Sequence, residues 1–220
     1  VWKFNDSWPQ IYSGKVDYFL EPTVTYYTLR RVFAPVMLSF EIGPYIHLWA
    51  VNDTRETVTG TVRVQLLHLD RNQVRKEATR AVSVPPGQSQ VVMRLDREGI
   101  GSFRLEHVLG ATFTGPDGAV LARTTAWADI ERRMRFPAAK LDVRVREDGA
   151  LEITSDKFAR AVHLTGDADG DPFGWFFEDN YFDLMPGERK IVRILGRHDH
   201  GRITARAWYS PHATTIEWRR

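Results

Sequence analysis

The feature that most constrains the fold of this chain is the repeated alternation of apolar and polar residues in short runs separated by turn residues. Residues 61–69 alternate cleanly, and the turn-forming sequence Asp70-Arg71-Asn72 follows directly. A period of two indicates a half-buried β-strand, because successive side chains of a strand point to opposite faces of the sheet. Between Val36 and Ile130 about seven such runs fit into about 95 residues, a spacing typical of sandwiches. The sequence therefore predicts an immunoglobulin-like β-sandwich over residues 35–130.

A second β pattern follows a charged, proline-terminated segment at residues 131–137, which we interpret as a linker. Residues 141–145 and 150–154 alternate on either side of Glu147-Asp148-Gly149, a hairpin signal. Four further alternating runs lie at residues 159–164, 190–195, 203–208 and 214–218. The sequence therefore predicts a second immunoglobulin-like β-sandwich over residues 138–220, and a chain that is mainly β.

Composition excludes several kinds of site and partner. The 220 residues are 43% hydrophobic, enough for a normal core, and they include no cysteine, so disulfides and thiolate zinc sites are excluded. The net charge is only +2 and the arginine pairs are scattered, so we predict no nucleic-acid partner. No apolar run approaches the roughly 18 residues that span a bilayer, so we also predict no membrane partner.

The first 34 residues lack the sandwich pattern. Trp2 and Phe4 alternate with polar residues as in a short strand, and the polar residues before Pro9 are typical of a strand end and a turn. A helix is predicted next, with Pro22 at its first position and Pro35 at its end. Its predicted apolar stripe consists of Val24, Tyr27, Leu29 and Phe33. A strand and a helix of this size cannot bury a core alone, so we expect them to pack on another body.

The opening motif resembles the end of the catalytic barrel in family 2 glycoside hydrolases, within their β-mannosidase-like branch. The matching residues are Phe4-Asn5-Asp6-Ser7-Trp8-Pro9, Asp17-Tyr18, Pro22 and residues 26–36. In that family the last strand of a (β/α)8 barrel ends in an Asn-Asp-x-Trp-Pro motif, and the last helix ends just before an immunoglobulin-like domain. The resemblance implies that residues 1–34 are a C-terminal remnant of such a barrel and that Val1 is not a natural start.

A second motif carries the same resemblance near the other end of the chain. Residues 179–188 resemble the Asp-Asn-x-Phe-Asp-Leu-x-Pro-Gly-Glu signature of the last immunoglobulin-like domain of β-mannosidases. Together the two motifs imply a C-terminal fragment of a retaining exo-β-glycosidase of the β-mannosidase type, whose substrate is a β-linked glycan. The family's two catalytic glutamates lie upstream of the opening motif, so the resemblance implies no catalytic residue here. The chain alone is predicted to be inactive and to pack on the missing barrel.

Three residues of the opening motif are predicted to bind substrate. An aromatic ring beside amide and carboxylate groups suits a sugar, because the ring covers the apolar face of a pyranose while the polar groups bond its hydroxyls. The resemblance assigns Trp8 to a wall of the sugar subsite, with Asn5 and Asp6 bracing or contacting it. The alternative is that Trp8 packs under the barrel rim and that Asp6 caps a turn.

Candidate metal ligands fail on spacing. Asp167, Asp169, Asp171 and Glu178 follow the spacing of a calcium loop, but Pro172 occupies the position that needs a glycine. His198 and His200 have no third ligand visible in the sequence. We therefore predict no metal and no cofactor.

Two interpretations of the aromatic segment at residues 173–182 stay open. Trp175, Phe176 and Tyr181 would form a glycan-binding platform, or Phe176, Phe182 and Leu184 would fill the sandwich core, which we favour because clustered rings are usually core. The alternative function for the whole chain is a non-catalytic carbohydrate-binding or adhesion module made of two immunoglobulin-like domains. Such a module has no use for the isolated strand and helix of residues 1–34.

Overall fold

The computed structural model of the chain describes residues 3–9, 14–96 and 103–220, so Trp2 lies outside the described residues. Within them the chain forms one α-helix, α1 (Val24–Val32), a 3₁₀ turn (Glu131–Arg133) and fourteen β-strands. The first seven strands are β1 (Val36–Ile42), β2 (Ile46–Asn52), β3 (Val58–His68), β4 (Gln73–Val84), β5 (Gln88–Leu95), β6 (His107–Thr114) and β7 (Val120–Trp127). The other seven are β8 (Leu141–Val145), β9 (Leu151–Ser155), β10 (Ala159–Asp167), β11 (Phe182–Leu184), β12 (Lys190–Val192), β13 (His200–Arg206) and β14 (Thr214–Arg219). The mainly β fold class is confirmed.

The chain divides into two compact units, one of which is discontinuous in sequence. The described residues up to Arg30 group with Phe136–Arg220, whereas Arg31–Arg135 form a unit of their own. We call these the discontinuous unit and the middle unit. The N-terminal segment therefore has its packing partners more than a hundred residues later in the chain.

The middle unit is a sandwich of two antiparallel sheets. One sheet has the order β1-β2-β5 and the other β4-β3-β6-β7. The side chains of β2 alternate strictly between buried and half-buried, as its sequence pattern predicts. The inward side chains of both sheets, among them Leu48, Val64 and Phe113, form one core. Two packed antiparallel sheets, one of three strands and one of four, form the arrangement of an immunoglobulin-like sandwich.

A buried amide closes one end of this sandwich. Asn52 is fully buried at the end of β2. Its Nδ2 donates to the carbonyl oxygens of Glu56 and Val84, both at 2.8 Å, and its Oδ1 accepts from the backbone N–H of Thr54 at 2.9 Å. The amide thus supplies partners to backbone groups where the strand ladders end, which keeps the burial of a polar side chain from being costly.

The sandwich of the discontinuous unit has the sheet orders β11-β10-β13-β14 and β12-β9-β8. The predicted hairpin at residues 147–149 joins β8 to β9, with Arg146 N–H donating to Ala150 O at 2.9 Å. The core contains Trp175, which is 3% exposed and stacks on Phe177 at 6.4 Å. Gly166 in β10 allows this packing, because a Cβ there would lie 2.0 Å from a carbon of the Trp175 ring.

The helix starts later than its sequence predicts. Pro22, expected at the first helical position, instead forms an antiparallel bridge with Val16, and α1 begins at Val24. The reason is that Thr23 N–H donates to Lys15 O at 2.9 Å, which holds residues 22 and 23 in extended pairing. Long-range pairing has overridden the local preference of proline for a helix start.

The apolar stripe predicted for the helix is also wrong in most positions. Within α1 the one buried residue is Tyr27, whereas Val24 is 44% exposed and Leu29 is half-buried. Phe33, just after the helix, is 72% exposed. Tyr27 is therefore the one fully buried anchor of the helix in the discontinuous unit.

Candidate functional site

The opening motif is held by a short pairing between two parts of the N-terminal segment. Asn5 forms a parallel bridge with Val16, and Phe4 O accepts from Lys15 N–H at 2.8 Å and from Val16 N–H at 2.9 Å. Asp6 N–H donates to Val16 O at 3.2 Å. These bonds fix the backbone at the position where the motif turns.

The three predicted substrate-binding residues differ in exposure. Asp6 is buried, and its Oδ1 lies 2.8 Å from Lys3 Nζ. Gly14 lies against the same carboxylate, since a Cβ there would be 2.5 Å from Asp6 Oδ2. Trp8 is 61% exposed and Asn5 is exposed as well. The motif therefore presents a ring and an amide to the surface above a buried, paired carboxylate.

A groove of about 550 Å³ lies in the discontinuous unit. One side is formed by residues 17–27 and the other by β10 and the segment before β11, with Trp208 beyond β13. The polar residues that line it include Asp17, Glu21, Thr23, His163, Asn180 and Tyr181. Sequence reasoning did not predict this groove, because its two sides come from parts of the chain more than a hundred residues apart.

Glu21 is an acid with one unsatisfied oxygen. Its Oε1 is buried and makes no hydrogen bond to any described residue. Burial first, and then the neighbouring Asp17 carboxylate, raise the pKa of Glu21 above its ordinary value. The backbone around it is well bonded, with Glu21 N–H donating to Asp17 Oδ1 at 2.9 Å. A buried acceptor without a donor is unusual in a native structure and calls for an explanation.

A histidine and a tyrosine form another part of the groove. Tyr181 Oη lies 3.0 Å from His163 Nε2, and the two rings stack at 4.5 Å. Burial, with a smaller effect of the Arg206 guanidinium, lowers the pKa of His163. Burial and then the Glu21 carboxylate raise the pKa of Tyr181. Both groups are therefore neutral near pH 7.

Asn180 supports this part of the groove from beneath. It is 5% exposed, its Oδ1 accepts from Leu164 N–H at 2.8 Å, and its Nδ2 donates to Leu164 O at 2.9 Å. The side chain thereby takes the place of a neighbouring strand beside β10, where pairing with β11 ends at Val162. Tyr181, the next residue, has a positive φ of 53°, a conformation that costs energy unless its surroundings hold it.

The aromatic segment at residues 173–182 is mainly core. Trp175, Phe182 and Leu184 are buried, so the core interpretation is confirmed for Phe182 and Leu184. Phe176 is half-buried and meets Tyr26 edge-on at 5.7 Å instead of entering the sandwich core. A glycan platform built on the face of Trp175 is therefore wrong, because only 3% of that side chain is exposed.

The acidic loop and the nearby histidines are paired with other side chains. Arg197 Nη2 lies 2.6 Å from Asp171 Oδ2, and His200 lies between Asp199 at 2.8 Å and Asp169 at 3.3 Å. Across residues 3–9, 14–96 and 103–220, no three His, Asp or Glu side chains are placed to hold a metal ion.

No helix in the described residues is long and apolar enough to cross a membrane.

Comparison with known proteins identifies the family. A model of the Mannosidase Ig/CBM-like domain matches residues 45–129, and one of the related Ig-fold domain matches residues 136–208. β-Mannosidase B of Aspergillus niger is 26% identical over 217 residues, which covers 89% of this chain and 25% of that protein. The chain belongs to the β-mannosidase-like glycoside hydrolases of family 2. β-Mannosidase B of Thermothelomyces thermophilus is 23% identical over 231 residues, and the match covers similar shares of the two chains.

Two solved structures share the fold of this chain. A β-D-mannosidase from Dictyoglomus thermophilum superposes with a TM-score of 0.74 at 19% identity, covering 99% of this chain and 26% of that one. An exo-chitosanase from Amycolatopsis orientalis gives a TM-score of 0.73 at 16% identity, covering 98% of this chain and 30% of that one. This β-mannosidase-like chain spans about a quarter of the length of the curated relatives it matches.

Proposed function

We propose that this chain is the C-terminal portion of a retaining exo-β-mannosidase, in which it forms the scaffold and one edge of the sugar site. The curated relatives that match most of the chain carry the name β-mannosidase B. The Asp-Asn-x-Phe-Asp-Leu-x-Pro-Gly-Glu motif at residues 179–188 supports the same assignment. Its Asn180 and Asp183 both bond β10, since Asp183 Oδ1 accepts from Ala161 N–H at 2.8 Å, which gives the motif a structural role.

The observation that carries this proposal is the exposed ring of Trp8 above a fixed turn. Trp8 is 61% exposed, an unusual state for a large aromatic side chain beside a well-bonded backbone. In the proposed enzyme this ring covers the apolar face of the terminal sugar, and the exposed amide of Asn5 bonds its hydroxyls. Asp6, which is buried and paired with Lys3, positions the turn.

The N-terminal segment also carries apolar side chains suited to docking on a catalytic barrel. Phe4, Tyr18, Phe19 and Leu20 are 60%, 47%, 47% and 71% exposed. Apolar side chains grouped in this way commonly mark an interaction surface. In our proposal the partner is the (β/α)8 barrel, and residues 1–34 are its last strand and helix.

The chemistry of the proposed enzyme needs two carboxyl groups about 5 to 5.5 Å apart, one as acid and one as nucleophile. We assign both to barrel strands outside this chain, because no acid here lies in a matching motif. The 220 residues alone should therefore not hydrolyse a β-mannoside. Steady turnover of an aryl β-mannoside by the purified chain, at a rate that scales with its concentration, would refute this assignment.

The test of the sugar-edge role is Trp8→Ala in the longer protein that contains this chain. Losing a ring that stacks on the substrate should raise KM for a β-mannoside about tenfold or more, since each tenfold corresponds to about 1.4 kcal/mol. The thermal midpoint should stay unchanged, because the ring is exposed. Phe33→Ala is the matched control, as it removes a 72% exposed ring that lies outside residues 4–9. Equal kinetics for the two variants would contradict the proposed role of Trp8.

A further inference from the structure

We propose that the groove of the discontinuous unit is a binding site for a small neutral saccharide, with Trp208 as its ring platform and Glu21 as its hydroxyl acceptor. The site does not rest on hydrolysis, so it stands or falls separately from the proposed enzyme activity. Four properties of the described residues lead to it: size, charge, an unpaired acceptor and exposed rings.

Size is the first property. The groove has a volume of about 550 Å³, within the range of roughly 300 to 1,000 Å³ that is usual for small-molecule sites. Its lining mixes apolar walls with a few polar groups, which is the usual composition of such a site. A saccharide needs this mixture, because each pyranose ring has apolar C–H faces and a polar rim.

Charge is the second property. No lysine or arginine is among the described residues that line the groove, whereas Asp17 and Glu21 are. Acids without basic neighbours disfavour phosphate, sulfate and carboxylate ligands. The remaining titratable side chains of the lining, His163, Tyr27 and Tyr181, are neutral near pH 7 because burial lowers the pKa of the imidazole and raises those of the hydroxyls. A ligand without negative charge, which offers O–H donors to the acids, therefore fits best.

The unpaired acceptor is the third property. Glu21 Oε1 is buried without a hydrogen bond to any described residue, and it belongs to a residue that lines the groove. Leaving such a group unpaired costs about 1 to 3 kcal/mol. Protein atoms cover Oε1 in this structure, so a ligand O–H donor recovers that cost once the Glu21 side chain turns its carboxylate into the groove. Hydroxyl donors are what a saccharide offers in abundance.

Exposed rings are the fourth property. Trp208 is 61% exposed and Phe173 is 41% exposed, and both line the groove. Phe173 is held by stacking on Phe19 at 4.8 Å. The backbone N–H of Trp208 donates to Arg160 O at 2.8 Å. Two accessible rings on a fixed backbone provide the apolar contact that pyranose C–H faces take. This assigns sugar binding to rings other than the buried Trp175.

The experiment is a titration of the full 220-residue chain with β-1,4-linked mannobiose, followed by the indole N–H signals of its seven tryptophans in NMR. The Trp208 signal is identified by its loss in Trp208→Ala. We expect that signal to shift to saturation with a Kd in about the millimolar range, while the Trp49 signal, from the middle unit, stays still. Absence of any Trp208 shift up to about 20 mM ligand would overturn the proposal.

Variants separate the two named roles. Isothermal titration should show binding about tenfold weaker for Trp208→Ala and for Glu21→Leu, whereas Glu21→Gln, which keeps an acceptor oxygen, should retain most affinity. Phe33→Ala is the control for loss of an exposed ring elsewhere, and circular dichroism verifies that each variant folds. Unchanged affinity in both Trp208→Ala and Glu21→Leu would overturn the site. Tighter binding of the anionic sugar glucuronate than of mannobiose would overturn the charge argument.

Discussion

At the scale of single residues, Asn180 shows how one amide can replace part of a strand. Its two hydrogen bonds to Leu164 satisfy a backbone N–H and a backbone C=O that are buried next to the core. A motif residue that resembles a family signature thus has a clear structural purpose. The sequence indicated Asn180 through the resemblance, but nothing local in it predicted a pairing 16 residues away.

Replacing Asn180 with alanine should lower the free energy of unfolding by about 2 to 4 kcal/mol, because two buried backbone groups lose their partners. Urea denaturation monitored by tryptophan fluorescence measures this loss. Asn5→Ala is the matched control, since that amide is exposed and its removal should change the stability by less than about 0.5 kcal/mol. A similar small effect for both variants would show that water replaces the Asn180 bonds at little cost.

At the scale of elements, helix α1 is attached to the discontinuous unit through Tyr27. That side chain is 1% exposed, its Oη donates to Phe177 O at 3.2 Å, and its ring meets Tyr26 edge-on at 5.2 Å. Burial raises the pKa of its hydroxyl, which therefore stays protonated and donating across the usual pH range. A nine-residue helix with a single buried side chain depends strongly on that contact.

Tyr27→Ala should therefore destabilise the discontinuous unit by about 3 to 5 kcal/mol, the usual cost of emptying a buried aromatic position. Tyr27→Phe removes only the hydroxyl bond and should cost about 0.5 to 1.5 kcal/mol. Thermal and urea unfolding of the two variants measure the difference. Thr25→Ala, on an exposed position of the same helix, should be nearly neutral. If Tyr27→Ala behaves like Thr25→Ala, the helix does not share the core of this unit.

Elements whose pattern is local were predictable, and elements fixed by distant pairing were not. The predicted strand at residues 36–42 coincides with β1, because period-two alternation and the following Gly43-Pro44 turn are both local signals. The prediction of a helix start at Pro22 was wrong because Val16 pairs with Pro22 and Lys15 with Thr23. The groove was missed for the same reason, since Glu21 and Trp208 come together only in the folded chain.

At the scale of the whole molecule, the two ends of the chain belong to one unit. The contacts that group residues up to Arg30 with Phe136–Arg220 do not depend on the peptide bonds of the middle unit. Cutting the chain between the units should therefore leave residues 14–30 bound to the C-terminal sandwich by packing alone. Such binding after cleavage would show that the segment shares the core of the sandwich and is not held there only by the peptide chain.

A protease site inserted after the exposed Arg135 tests this expectation. The two fragments should elute together in gel filtration after complete cleavage, because Tyr27 and its neighbours remain packed on the later fragment. The same cut in a Tyr27→Ala background should weaken the association and release a larger share of free C-terminal fragment. Equal elution profiles with and without Tyr27 would show that the packing of this helix does not hold the fragments together.

The discontinuity has a consequence for how the protein is made. The stretch up to Arg30 emerges from the ribosome before Arg31–Arg135, whereas the strands that receive it emerge afterwards. At about 5 to 20 residues per second, translating the roughly 105 intervening residues takes on the order of 5 to 20 s. The middle sandwich can fold within that interval, but Tyr27 has no partner yet. The Tyr27 side of α1 should therefore stay uncovered, and open to chaperones, until the strands of the C-terminal sandwich arrive.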